Sequence, residues 1–426
     1  MLYKQNIENC FADKIGGSGL HEAAFATSLK QVLLARESIR TYQSGRVLPL
    51  FKTTKETADI PLLQEIANKI RKDFTTLIVL GTGGSTLNPQ SLVALRQDLN
   101  PDFKIYFADN IDPYFTEQLF AGINIQKTAF LATSKSGGTV EVLAHTLLSI
   151  SKLEEAGIKN IGRHFFIISD PISNVLKDIG QEIGATMLDH EADIGGRFST
   201  FTNVGLLPAL VAGLDANLFR RGAAQVVDDF LANESSYPIA GAALALTAMN
   251  ANLSINVFMP YLEALKPFTT WVCQIWAESL GKNGKGSTPV RAAGTLDQHS
   301  QLQLYLDGPA DKLFNIIGIE NKNIGPLITS RFTGKAGAAY LEGKHFSEVN
   351  MAAQAGTAIT ISANGRPVRN LSLARLDEEC LGALMMHFII ETILVAQVFE
   401  INAFDQPAVE DGKKLARQIL GEKVEV

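Results

Sequence analysis

Residues 77–81 (LIVLG) form a short, unbroken apolar run that stops at a glycine, and similar runs recur at 104–108, 129–133 and 165–169. A half-exposed strand alternates apolar and polar residues, whereas a continuous run fits a strand covered on both faces, as in a parallel sheet. Between the runs lie stretches with helical spacing, such as 140–156. Strand, turn and helix in alternation predict an α/β fold, a mainly parallel sheet with helices on both faces. After residue 213 a second series begins, with strands expected at 255–259, 301–306, 313–319 and 371–375 and helices at 269–281 and 337–354.

A chain of 426 residues, 46% of them hydrophobic, exceeds what one core usually organises. Two α/β domains are expected, at 45–210 and 215–400, followed by a C-terminal arm at 401–426; helices are expected in both terminal arms. The net charge is −6 and no run of Lys or Arg makes a basic face, so a nucleic-acid partner is not expected. A phosphorylated small molecule would have to be held by local donors. Residues 1–17 carry no apolar run with a cleavage site, so no secretory signal is expected. The apolar stretch 383–401 contains His387, Glu391 and Gln397. A charge at the centre of a bilayer costs roughly 2.5 to 3.5 kcal/mol, so the stretch reads as a buried helix and no membrane partner is expected. Cys10, Cys273 and Cys380 are isolated, which suits a reducing cytoplasm and argues against a disulfide framework or a zinc cluster.

Several segments carry candidate chemistry. Residues 81–86 (GTGGST) follow an expected strand, where backbone N–H groups can line an anion or a hydroxyl. A dinucleotide fingerprint would need glycine at Thr86, so an NAD site is disfavoured; the segment also suits a tight turn with no ligand. Residues 134–139 (SKSGGT) place three hydroxyls and two glycines between a strand and a helix. This suits a phosphomonoester cradle at a helix start, and equally an ordinary N-cap. The loop 281–287 (GKNGKGS) lacks a Lys after its last Gly, so it is not a nucleotide P-loop.

Arg197 follows Gly195 and Gly196, where a guanidinium can meet an oxyanion without giving up a proton; a lone arginine there also fits a surface or ion-paired role. Glu278 stands in an apolar helical stretch, where burial would raise its pKa and make it a better base on carbon. A helix-surface glutamate is the plainer reading of the same residue, and a solvated loop histidine that of His299.

Six motifs in order resemble the glucose-6-phosphate isomerase family, which is built of two sugar isomerase (SIS) domains. They are Gly-Gly-Ser at 83–85, Ser-Lys-Ser at 134–136, Gly-Gly-Arg-Phe-Ser at 195–199, Glu-Ser-x-Gly-Lys at 278–282, Gln-His-Ser at 298–300 and Phe-Asp-Gln-x-x-Val-Glu-x-x-Lys at 404–413. The resemblance implies two SIS-type α-β-α sandwiches and an aldose-ketose isomerase that needs no metal or other cofactor. It implies Glu278 as the base that moves a proton between C2 and C1, and Arg197 facing the cis-enediolate oxygen. His299 and Lys413 match the residues that open the sugar ring, and Glu141 the carboxylate that orients the histidine. Gly84 and Ser85 match contacts to the sugar; Ser134, Lys135, Ser136 and Thr139 match contacts to the phosphate, and Gln406 a substrate-side glutamine. The partners implied are a sugar phosphate and a second copy of the chain, in a homodimer where His299 reaches the neighbouring active site. The family's alternatives are a dual phosphoglucose/phosphomannose isomerase and a sugar-phosphate-binding SIS protein without catalysis. The sequence departs from the family at Ala408, where glycine is usual, and at 86–89 (TLNP). Ala408 would matter only if that position needs a positive φ.

Overall fold

The structure, a computed structural model, describes residues 2–45, 48–96, 102–335 and 337–421. Among them are ten strands: β1 (Tyr3–Asn6), β2 (Thr76–Leu80), β3 (Lys104–Ala108), β4 (Thr128–Ser134), β5 (Phe165–Ser169), β6 (Thr186–Asp189), β7 (Ile255–Pro260), β8 (Thr288–Arg291), β9 (Lys312–Ile319) and β10 (Val368–Leu373). They form two five-stranded sheets, so the expected α/β class with mainly parallel sheets holds.

The chain divides into two compact, discontinuous units. Unit I comprises Met1–Val47 and Arg221–Ala403; unit II comprises Leu48–Arg220 and Phe404–Val426. Where the sequence suggested one domain after another and a separate arm at 401–426, contacts group the arm from Phe404 onward with the first sheet. Residues 422–426 of that arm lie outside the described residues.

In unit II the sheet is wholly parallel, in the order β3-β2-β4-β5-β6. Its central strands are buried at every residue, which is why their sequences run apolar without alternation. Ile78, Phe130, Ala132, Phe165 and Ile167 pack with Val142 and Leu153 from the helix Val140–Glu155, and the Phe130 and Phe165 rings stack 5.2 Å apart.

In unit I the order is β1-β10-β9-β7-β8, with β1 antiparallel to β10 and the other pairs parallel. Strand β1 reads Tyr-Lys-Gln-Asn, a polar edge that the apolar-run criterion passes over. Its helix Glu378–Val398 is long and apolar enough to cross a membrane, yet every residue from Glu378 to Ala396 is buried. It packs on the helices Tyr237–Asn250, Lys266–Leu280 and Glu22–Gly45 of the same unit.

A charged cluster lies beneath this sheet. Arg369 of β10 donates from Nη1 and Nη2 to the two Glu391 carboxylate oxygens at 3.0 and 2.7 Å, and from Nε to Gln5 Oε1 of β1 at 2.8 Å. His387 joins the cluster, its Nε2 within reach of both Arg369 Nη2 and Glu391 Oε2 (3.0 Å to the latter) and its Nδ1 2.7 Å from Tyr3 Oη. Gly241 makes room for this cluster, since a Cβ there would stand 2.3 Å from Glu391 Oε2.

Three expectations need correction. Residues 301–306 are not a strand; they lie in the helix Leu302–Asp307, preceded by Gln301. The alternation of Leu302, Leu304 and Leu306 suggested period two, but Leu302, Tyr305 and Leu306 face the core at helical spacing while Leu304 is exposed. The helix expected at 337–354 is Phe346–Ala363; it begins where the His345 N–H donates to Glu348 Oε2 at 3.0 Å, a reciprocal cap with an unusual first residue. The strand expected at 371–375 is Val368–Leu373.

Candidate active site

The winding of the unit II sheet reverses between β2 and β4, because the chain steps outward to β3 and then crosses back. In open α/β sheets ligands sit beyond the carboxyl ends of the strands at such a reversal. The glycine turn 81–86 follows β2 and the SKSGGT loop follows β4, so the two candidate anion-binding segments flank that point.

Gly83, at φ 57°, turns the chain into the helix Gly84–Val93. Gly84 presses against the arginine segment: a Cβ there would lie 2.2 Å from Gly196 O and 2.5 Å from Arg197 N. Asn88 fastens the two, its Nδ2 lying 2.5 Å from Gly84 O, 2.7 Å from Gly196 O and 3.0 Å from Ser199 Oγ. Asn88 belongs to the TLNP departure, so what differs from the family pattern here is a structural brace. Ser85 is partly exposed beside it. Gly84→Ala is expected to push the Arg197 backbone out of place and lower kcat/KM about 100-fold, the cost of a shift near 1 Å in a positioned group. Steady-state kinetics beside a far-UV spectrum will check this; near-wild-type kinetics in a folded Gly84→Ala protein would refute the close fit.

Arg197 is 4% exposed. It donates from Nη1 to Gln406 Oε1 at 2.8 Å and from Nη2 to Asp405 O at 3.0 Å, and the Phe198 and Phe404 rings meet at 5.1 Å. The motif at 195–199 and the start of the motif at 404–413 are thus one local assembly within unit II. These two acceptors are neutral and fix the orientation of the guanidinium. Ala408 lies in the 3-10 turn Pro407–Val409; among the described residues the non-glycine positive φ values belong to Asn252, Asn283 and Glu400, so its methyl group brings no strain.

In the SKSGGT loop the Ser134 and Thr139 hydroxyls lie 2.9 Å apart, and the Gly137 N–H donates to Ser134 Oγ at 3.1 Å. Gly137 has φ 63° and sits so close to Asn174 that a Cβ would fall 1.7 Å from its Oδ1; no other residue fits. Ser136 is exposed. Lys135 turns to the segment before Arg197, its Nζ donating to Ala192 O at 2.5 Å and Ile194 O at 3.1 Å. Glu141 stands, half-buried, in the first turn of the helix that follows, where the helix dipole favours a carboxylate. Lys413, on the helix Glu410–Ile419, is paired with Glu410 at 2.7 Å, and the lysine ammonium holds that carboxyl below its ordinary pKa.

The remaining candidates belong to unit I. Glu278 lies near the end of the helix Lys266–Leu280, half-buried rather than enclosed, and accepts from Gln274 Nε2 at 3.1 Å. Lys282 and Lys285 donate to the carbonyls of Asn402 and Phe399. His299 is exposed and follows the turn Leu296–Gln298. Burial pushes the neighbouring Asp297 carboxyl up, but hydrogen bonds from Ser300, Gln301 and the Ala293 N–H outweigh it and keep the pKa low. The helix runs antiparallel to β8: Arg291 at the end of β8 donates to Thr270, while Trp276 donates to Ser287 just before β8. Thr270 and Glu278 differ by eight residues, about 12 Å of helix rise. Unit I therefore carries Glu278 and His299 at opposite ends of its sheet and does not bring them together. Among the described residues no three His, Cys, Asp or Glu side chains lie together as metal ligands would.

Residues 64–425 match the family described as Phosphoglucose isomerase. A glucose-6-phosphate isomerase of Rubrobacter xylanophilus is 36% identical over 368 residues, which is 84% of this chain and 85% of the relative. A second, of Carboxydothermus hydrogenoformans, is 31% identical over 382 residues, 85% of this chain and 82% of the relative. Among solved structures, a hypothetical protein of Thermus thermophilus superposes with TM-score 0.88 at 28% identity, covering 99% of this chain and 100% of that one. A glucose-6-phosphate isomerase of Chlamydia trachomatis gives TM-score 0.70 at 26% identity, covering 85% and 72%. With the match covering β2 to β10 and every motif that carries a candidate residue, the chain belongs to the phosphoglucose isomerase family.

Proposed function

We propose that this protein interconverts glucose 6-phosphate and fructose 6-phosphate in the cytoplasm, as a step of glycolysis and gluconeogenesis. What carries the reading is the match, over 84% of the chain, to a relative named for that activity. The chemistry explains the residue types. The C2 proton of an open-chain aldose is acidic only because its loss spreads charge onto oxygen as an enediolate, so catalysis needs a base on carbon and a fixed positive charge at oxygen. Glu278 takes the proton from C2 and returns it to C1, and Arg197 opposes the oxyanion. His299 and Lys413 open the ring, with Glu141 orienting the histidine, while Gly84, Ser85 and Gln406 contact the sugar.

The phosphate is remote from the reacting carbons, and its binding by Ser134, Lys135, Ser136 and Thr139 fixes the position of the rest of the substrate. The active assembly in this reading is a homodimer in which His299 serves the neighbouring subunit, a reading supported by the placement of Glu278 and His299 at opposite ends of one sheet. The test is a coupled assay in which fructose 6-phosphate is supplied and glucose 6-phosphate is consumed by a dehydrogenase. Turnover of roughly 1 to 10³ per second is expected. No product from folded protein would sink the proposal, and mannose 6-phosphate in a parallel assay decides whether C2 is also inverted.

A further inference from the structure

We propose that Arg417 is a ligand of the substrate's phosphate group, contributed to the SKSGGT loop by the C-terminal helix. The proposal rests on the reading of that loop as the phosphate site and adds a residue beyond the motifs, the last of which ends at Lys413. Arg417 is half-buried, and its Nη2 donates to the carbonyl oxygen of Gly138 at 3.2 Å. That contact holds the guanidinium against the loop at Gly138, between Ser136 and Thr139 in the chain, and leaves it further N–H donors.

The charge balance of the loop calls for such a group. A phosphomonoester brings about −1.5 to −2 charges at neutral pH, and Glu141 adds another negative charge one turn into the following helix. Against these, the loop's own cation, Lys135, brings a single positive charge, its ammonium oriented by the carbonyls of Ala192 and Ile194. A planar guanidinium that grips two phosphate oxygens at once meets the deficit better than a further hydroxyl would.

The helix geometry supports the same assignment. Lys413 and Arg417 are four residues apart on the helix Glu410–Ile419, hence on one face and about 6 Å apart along its axis. In a hexose 6-phosphate, four covalent bonds separate the ring oxygen from phosphorus. A helix lying along the substrate thus presents Lys413 to the ring and Arg417 to the phosphate.

The experiment compares Arg417→Ala, Arg417→Lys and Ser136→Ala in the full chain. It reads kcat and KM for fructose 6-phosphate, and binding of inorganic phosphate by calorimetry, which needs no turnover. Arg417→Ala is expected to raise KM and the phosphate Kd together by about tenfold, the scale of one charge-assisted contact, with kcat changed less than about twofold. Arg417→Lys should recover part of the loss. A fall in kcat alone, with phosphate Kd unchanged, would overturn the proposal and make Arg417 a tether for the Lys413 helix. If Ser136→Ala weakens phosphate binding and Arg417→Ala does not, the proposal fails while the loop reading stands. If neither changes it, both fail; if only Arg417→Ala does, Arg417 is supported and Ser136 leaves the site.

Discussion

Glu278→Gln is expected to cut turnover by a factor on the order of 10² to 10⁴, with KM and inorganic phosphate binding little changed. The amide keeps the shape of the carboxylate and its place beside Gln274 Nε2, yet accepts no proton from carbon at neutral pH. The loss should fall on the chemical step, because a proton-transfer group acts in the transition state and adds little to ground-state binding. Exchange of the C2 hydrogen with solvent deuterium separates this from a folding defect: it should slow in parallel with turnover. Wild-type exchange in the variant would assign the base elsewhere.

The second large effect is on stability. Arg369→Ala leaves Glu391 charged in a fully buried place, and breaking a buried pair on one side costs about 3 to 5 kcal/mol. For a unit of this size that lowers Tm by roughly 6 to 20 °C. Replacing both partners, Arg369→Met with Glu391→Leu, should recover much of the loss, since it removes the uncompensated charge. A single variant melting within about 1 °C of wild type, below the roughly 2 to 4 °C expected for about 1 kcal/mol, would show that the cluster holds little stability.

The same cluster predicts a pH dependence. Burial holds His387 below its ordinary pKa despite the pull of Glu391, so the folded protein refuses a proton that the unfolded chain accepts. Stability should therefore be full above about pH 6.5, the ordinary histidine value, and fall below it. For Glu391, burial raises the pKa, but the Arg369 charge outweighs it and the net shift is downward. Its contribution is present above the ordinary carboxylate value, near about pH 4.3, and is lost in turn as the pH drops further. Denaturant melts across this range should show two successive losses; a flat profile from about pH 7 to 4 would contradict a neutral buried His387.

What the sequence disclosed followed burial. Strands β2, β4 and β5 were legible because both of their faces are covered, and β1 was not because an edge strand of Tyr-Lys-Gln-Asn resembles a loop. Residues 301–306 misled because three leucines on alternate positions imitate a strand, while the face that packs is set by Leu302, Tyr305 and Leu306. At the site, motifs exposed the candidate residues, such as Arg197 and Glu278. They did not expose Asn88, whose work is to hold two loop carbonyls together, or Arg417, whose helix returns to the loop from nearly 280 positions away. Nor could spacing reveal that the fit of Gly84 depends on the backbone at Gly196.

The pairing of β1 with β10 also sets a timetable. Tyr3 bonds in register with Leu373, so the strand leaves the ribosome long before its partner exists. At about 5 to 20 residues per second, the wait is roughly 20 to 75 s. During it, residues 48–220 emerge in full and can assemble their five-stranded sheet, still without the segment from Phe404 that meets Arg197. Unit I closes only when β10 appears, and until β1 arrives on it that strand presents an open edge to any other nascent chain. Crowding on polysomes is thus a hazard for this topology in a way it would not be for two domains threaded one after the other.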